Sequence, residues 1–193
     1  MKTRTASVVL IAATLVCSCG IATGADALVS GPQAGSKLPG GFNPVNVTNA
    51  ELPDYAGKRN DYTEQHGASP VVLVFGRGIT DPLTSLAKKL DAAVGKHKAA
   101  RLRAVLVILR DDAETERALK ELGERQGIEK VSLAVMPDGP KDYKLAKEAD
   151  VTTVVVYDRY KVEANHAFQQ GELNDKAIET ILADVSKVVA RKR

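Results

Sequence analysis

The sequence predicts a single α/β domain built on one mixed β-sheet flanked by helices, and three observations carry that expectation. Val71–Phe75 (VVLVF) is a continuous apolar run and Leu102–Leu109 (LRAVLVIL) reads as a second strand covered on both faces, with a helical period between them. Val151–Tyr157 is rich in β-branched residues and is followed by a tight turn and an alternating stretch, the signature of a β-hairpin. The chain then closes on a long amphipathic segment.

Taken in order, residues 30–49 (SGPQAGSKLPGGFNPVNVTN) are rich in Gly, Pro and Asn and read as an extended lead-in, with a short strand at Phe42–Val47. After the first core strand, Asp81 at the cap and Pro82 at the first position start a helix whose buried face is Leu83, Leu86, Ala87, Leu90 and Val94. With Leu102–Leu109 this makes a strand, helix, strand unit, a right-handed parallel crossover. A second helix spans Asp112–Gln126 and stops at Gly127, and Val131–Val135 is a further strand. Pro137-Asp138-Gly139-Pro140 is a turn, and Lys141–Ala149 reads as a short helix. In the hairpin, Asp158-Arg159-Tyr160 turns the chain, and Val162, Ala164, His166 and Phe168 share one face of the second strand. Asn174 caps the last helix, Leu173 and Ile178 form a hydrophobic staple, and Ile181, Leu182, Val185, Val188 and Val189 continue its stripe. The order of elements implies helices on both sides of the sheet.

Of 193 residues, 44% are hydrophobic and 26% charged, a globular balance that excludes collagen, coiled coil and disorder. The net charge of +3 is spread along the chain, so nucleic acid is not an expected partner. The only two cysteines, Cys17 and Cys19, lie in residues 1–27, which read as an export signal. Lys2 and Arg4 supply its positive start, Ser7–Val16 its short apolar run, and Ala25-Asp26-Ala27 its small-residue cleavage site. Cleavage after Ala27 leaves 166 residues without cysteine, in a periplasmic or secreted setting. A lipoprotein signal is the alternative, with Cys19 acylated and retained as a lipid anchor, and it is the one route to a membrane that the sequence offers.

Residues 128–162 carry a resemblance. An apolar strand, Pro137-Asp138-Gly139, a segment with Tyr143, the run Val151-Thr152-Thr153-Val154-Val155-Val156-Tyr157-Asp158 and a hairpin together resemble the thioredoxin-like fold in its exported-redoxin and peroxiredoxin variety. The likeness covers roughly Phe42 to Val189. Val47-Thr48, Gly57-Lys58, Val72-Leu73-Val74-Phe75 and Asn165-His166-Ala167-Phe168 are similar to a group of exported bacterial thioredoxin-like proteins. The resemblance divides the chain into the signal at 1–27, a lead-in at 28–50 and a thioredoxin-like domain at 51–193.

That resemblance also implies where redox chemistry would sit, and each position lacks its residue. The slot in which thioredoxins carry C-x-x-C reads Thr80-Asp81-Pro82-Leu83, and Leu83 stands where a peroxiredoxin T-x-x-C would place its thiol. The cis-proline position reads Thr152, beside Thr153. An upstream C-x-x-C of the closer group falls on Asp61 and Glu64. The resemblance therefore implies a domain without thiol chemistry, a binding or scaffolding module for a protein partner. Its candidate contact surface is Asp61, Glu64, His66, Thr80, Asp81, Thr152 and Thr153 at the substrate-facing end.

Two other readings stay open: a metal-dependent or other enzyme using Asp61, Glu64 and His66, and a thiol-redox relative that works only with a partner's cysteines. Oxygen and imidazole donors within six residues suit a hard cation, but their spacing fits no established site, and a solvated polar loop before Pro70 explains them as well. No metal or cofactor is expected. Gly76-Arg77-Gly78, between strand and helix, is placed like a phosphate-cradling turn yet lacks the glycine spacing of one. His166 reads as a hydrogen-bonded histidine at the core margin and His97 as a surface residue at a helix end.

Overall fold

The computed structural model describes residues 28–110 and 112–191. The segment 1–27 read as an export signal, with Cys17 and Cys19, and the last two residues of the basic tail lie outside the described residues. Six strands form one sheet: β1 (Val45–Thr48), β2 (Val71–Gly76), β3 (Arg103–Ile108), β4 (Val131–Val135), β5 (Thr152–Asp158) and β6 (Lys161–Phe168). Their spatial order is β1-β4-β3-β2-β5-β6. The central three are parallel, while β1, β5 and β6 each run antiparallel to the neighbour they join. The helices are α1 (Tyr62–His66), α2 (Asp81–Lys96), α3 (Ala113–Gln126) and α4 (Asp175–Ala190). The mixed sheet with flanking helices is as expected from the sequence.

The helices are not shared evenly between the two faces. Leu83, Leu86 and Leu90 of α2, Leu119 and Leu122 of α3, and Ile178, Ile181 and Val185 of α4 all pack in one core against Val72, Val74, Leu106, Ile108 and Leu133. Successive right-handed crossovers from β2 to β3 to β4 step in one direction across the sheet, so α2 and α3 must lie on the same side. The opposite face is closed by the lead-in, α1 and the segment around Tyr143: Leu38, Phe42, Tyr62 and Tyr143 pack there on Leu73, Phe75, Val105 and Tyr157. Phe42, Phe75 and Tyr143 form a ring cluster with centroids 5.7 to 5.8 Å apart, within the range of favourable edge-to-face packing. Residues 28–50 thus contribute buried side chains and an edge strand to the sheet.

Several local expectations are corrected. The first strand begins at Val45, because Phe42 turns inward to the ring cluster. Residues 62–66 are not a loop but α1, capped by Asp61, whose carboxylate accepts from the backbone of Thr63 (2.7 Å) and Glu64 (3.1 Å). That carboxylate lies against Gly41, where any Cβ would overlap it. The cap of α2 is Thr80, its hydroxyl accepting from Leu83 N–H at 3.3 Å, and Asp81 is the first helical residue.

The helix expected over 141–149 is a single turn, Lys141–Tyr143, closed by Lys144 in the left-handed region. Tertiary bonds take the backbone groups a longer helix would use: Ala146 N–H donates to Ser30 Oγ (2.9 Å), and Ala146 C=O accepts from Arg77 (2.6 Å). The hairpin turn has φ of 50° at Arg159 and 61° at Tyr160, both left-handed as a two-residue type I′ turn requires. A bulge at Glu163 then lets Val162 pair with Tyr157 and Ala164 with Val156. The extra residue sends Val162 to one core and Ala164 to the other, so the four alternating residues of β6 do not share a face.

Candidate functional site

The carboxyl ends of β2 and β3, the start of α2 and the start of β5 meet at one end of the sheet. A cleft of about 790 Å³ opens there, and Thr80 and Thr152 both line it, with Pro82, Arg77, Arg110 and Lys147. Thr80 reaches the cleft because it caps α2. Thr152 reaches it because Phe75 pairs with Thr153 in the β2–β5 ladder, which brings the first residue of β5 to the end of β2. Asp81 is exposed beside them. Thr153 is 2% exposed and faces the interior, sharing a 2.6 Å hydrogen bond with the Ser30 hydroxyl.

Ser30 is therefore a support of the site that sequence patterning passed over. Fully buried, it joins Thr153 on β5 to the backbone of Ala146, which in turn holds the guanidinium of Arg77 at the cleft. Ser30→Ala leaves the buried Thr153 hydroxyl and the half-buried Ala146 amide without their partner and is expected to cost about 1 to 2 kcal/mol. Urea unfolding reads the loss, and hydrogen exchange at the Ala146 amide should accelerate with it. A variant as stable as the parent with unchanged exchange would show that the lead-in does not brace the cleft.

Asp61, Glu64 and His66 do not join this cleft and do not converge on one another. Asp61 and Glu64 line a separate open depression of about 600 Å³ together with Glu51 and Asn60. The Asp61 carboxylate is occupied by the α1 cap. His66, 5% exposed, turns away to donate from Nδ1 to Glu51 Oε2 at 3.0 Å. Glu51 also pairs with Arg103. Donation from His66, together with the positive charge of Arg103, holds the Glu51 carboxyl at about 2 against the opposing effect of burial. Among the described residues no three or more His, Cys, Asp and Glu side chains are grouped to hold a metal ion. The contact surface expected from the sequence is thus divided, with Thr80, Asp81 and Thr152 at one site and Asp61 and Glu64 at another.

The sequence reading did not single out Glu51, Arg103, Arg110 or Lys147. Glu51 and Arg103 are far apart in the chain and carry no spacing signal, and Arg110 and Lys147 look like ordinary surface cations until the fold brings them to one cleft. His166 is at the core margin as expected, its Nε2 3.0 Å from Asp184 and its ring stacked on Phe168. His97 is the residue that ends α2. The hydroxyls of Tyr62 and Tyr143 are pushed well above the usual phenol range by burial, which leaves them as hydrogen-bond donors. Tyr143 donates to Gly40 C=O at 3.0 Å and Tyr62 to Asn46 Oδ1 at 2.5 Å.

At the start of α2 no sulfur is available. Leu83, where the resemblance would put a reactive thiol, is 1% exposed and packs in the core beneath the helix. What the site offers is a hydroxyl at a helix start, a second hydroxyl across the cleft, three cations and an apolar floor. Such groups can bind and orient a ligand.

No protein-family model matches the sequence, and no curated protein is similar to it. Solved structures are similar in fold. The reduced 2-Cys peroxiredoxin of Plasmodium vivax is 19% identical with a TM-score of 0.60, over 83% of this chain and 99% of that one. A secreted disulfide oxidoreductase of Mycobacterium tuberculosis, homologous to DsbE of E. coli, is 14% identical with a TM-score of 0.55, over 76% and 95%. The yeast mitochondrial 1-Cys peroxiredoxin is 12% identical with a TM-score of 0.56, over 83% and 78%. No helix of the described residues is long and apolar enough to cross a membrane. At these identities the likeness speaks for architecture alone, and the architecture of this chain is thioredoxin-like.

Proposed function

We propose that this protein is an exported thioredoxin-fold domain that holds a protein partner in the cleft between Thr80 and Thr152 and performs no thiol chemistry of its own. One observation carries the reading: the helix start that this fold uses for a reactive thiol is built here from Thr80, Asp81, Pro82 and a buried Leu83. A helix amino terminus lowers a thiol's pKa only if a thiol is there. The cleft itself is of a size that binds ligands, and the Ser30, Thr153 and Arg77 bonds support its walls. The apolar signal at 1–27 favours action outside the cytoplasm, with Cys19 as a lipid anchor if it is retained.

The purified protein is expected to reduce neither insulin disulfides nor peroxide above background when no other thiol protein is present, and a Cys17→Ser/Cys19→Ser variant should behave identically. Turnover by either form would sink the proposal. Contact at the cleft is tested by co-purification from the native envelope, comparing the parent with Thr152→Trp. A partner lost only from the variant supports the reading, and one kept equally by both places the contact elsewhere.

The peroxiredoxin and disulfide oxidoreductase neighbours favour one other reading, a redox relative that positions the cysteines of a partner. Insulin reduction appearing only when the co-purified partner is added back would select it.

A further inference from the structure

We infer that the ligand of this cleft is an acidic peptide segment whose carboxylates alternate with apolar side chains. The inference rests on the reading of the cleft as a partner-binding site and adds the chemistry of the partner. Three cations, Arg77, Arg110 and Lys147, line the cleft, and among the described residues lining it Asp150 is the single carboxylate. Arg77 is the most telling of them. One of its terminal nitrogens is spent on Ala146 C=O, which fixes the guanidinium in place, while Nε is shut off from solvent with no hydrogen-bond partner. Among the described residues no carboxylate is paired with Arg77, so its charge is left for a ligand carboxylate at the cleft. Arg110 is held by Asp112 through Nε at 2.9 Å, so its fork is oriented and its terminal nitrogens remain for a ligand.

The remaining walls decide between a small anion and a peptide. Pro82, Leu109, Val151 and Leu173 lie among the cations, and a phosphate ion would leave them uncovered. A cleft of about 790 Å³ is far larger than one phosphate and suits a short extended segment. Charge and apolar contact together therefore call for side chains of both kinds on one chain.

Titration calorimetry of the full chain tests this with three probes: a blocked hexapeptide alternating glutamate and leucine, its glutamine and leucine counterpart, and inorganic phosphate. The glutamate peptide should bind saturably and about tenfold or more tighter than the glutamine peptide, a difference that shrinks with added salt. Arg77→Gln and Lys147→Gln should each weaken it severalfold. Lys147 is exposed, so its variant tests charge even if Arg77→Gln disturbs the fold. Equal binding of the two peptides would overturn the charge inference while leaving the cleft a partner site. Binding of phosphate alone, or of none of the probes, would overturn it as well. Loss of the native partner from Thr152→Trp is read separately, so the two ideas fail in different experiments.

Discussion

Replacing Asp91 with alanine should lower the melting temperature by about 6 to 12 °C, equivalent to about 3 kcal/mol in a chain of this size. Asp91 sits in the middle of α2, 7% exposed, and its carboxylate reaches across to the approach of β4. There Oδ1 accepts from the backbone of Glu129 (2.9 Å), Lys130 (2.5 Å) and Val131 (3.3 Å), and Oδ2 lies 3.2 Å from Lys130 Nζ. One side chain therefore satisfies three amides at a strand entrance. Truncation strands those donors, of which Val131 is buried and cannot turn to water. Asp91→Asn keeps an acceptor oxygen and loses the charge, so about half of the effect should remain. Calorimetric melting of the three proteins checks the order. An alanine variant within about 0.5 kcal/mol of the parent would mean that the loop rehydrates at no cost.

Glu51 should make stability depend on pH in acid. Its carboxyl titrates at about 2 in the folded protein against an ordinary 4.5, so the ionised form stabilises the native state. That contribution is complete above about 4.5 and is lost as the pH falls toward about 2. The side chain is 31% exposed, and solvent screening reduces the gain to about 1 to 2 kcal/mol. Glu51→Gln should accordingly be less stable than the parent by that amount near neutrality, and the gap should shrink below about pH 4.5 and close only once the pH falls below about 2. Comparing the two proteins at each pH cancels the carboxylates they share, including Asp112, which its bonds to Thr115 also hold at about 2. A gap that stays constant from neutral to acid pH would refute the role given to the charge.

The strands and long helices were legible because their patterns are local. Val71–Phe75 is buried on both faces and reads as an unbroken apolar run, Leu102–Leu109 is apolar and buried except at the half-buried Arg103, and α4 repeats its stripe over four turns between a capping Asn174 and the tail. The failures are equally specific. The nine residues from Lys141 have helical composition, but Ser30 and Arg77 claim the backbone of Ala146 from more than 60 positions away, and the helix stops after one turn. The bulge at Glu163 shifts a period-two pattern by one residue, which no count of alternating residues on β6 alone would reveal. At the site, Thr80 and Thr152 were found from the resemblance and do share a cleft. Asp61, Glu64 and His66 were grouped by proximity in sequence, yet a five-residue helix points His66 at Glu51 and leaves Asp61 with its own backbone.

By itself the sequence determined the α/β class, the position of every long element and the absence of cysteine after Cys19, since these depend on residue type and short-range period. The tertiary structure alone decided that α2, α3 and α4 share one face, that the lead-in closes the other, and that Arg77, Arg110 and Lys147 gather beside Thr80 and Thr152. The physical reason is that handed crossovers and long-range hydrogen bonds join residues whose separation along the chain carries no period. A cleft exists only once those contacts have formed.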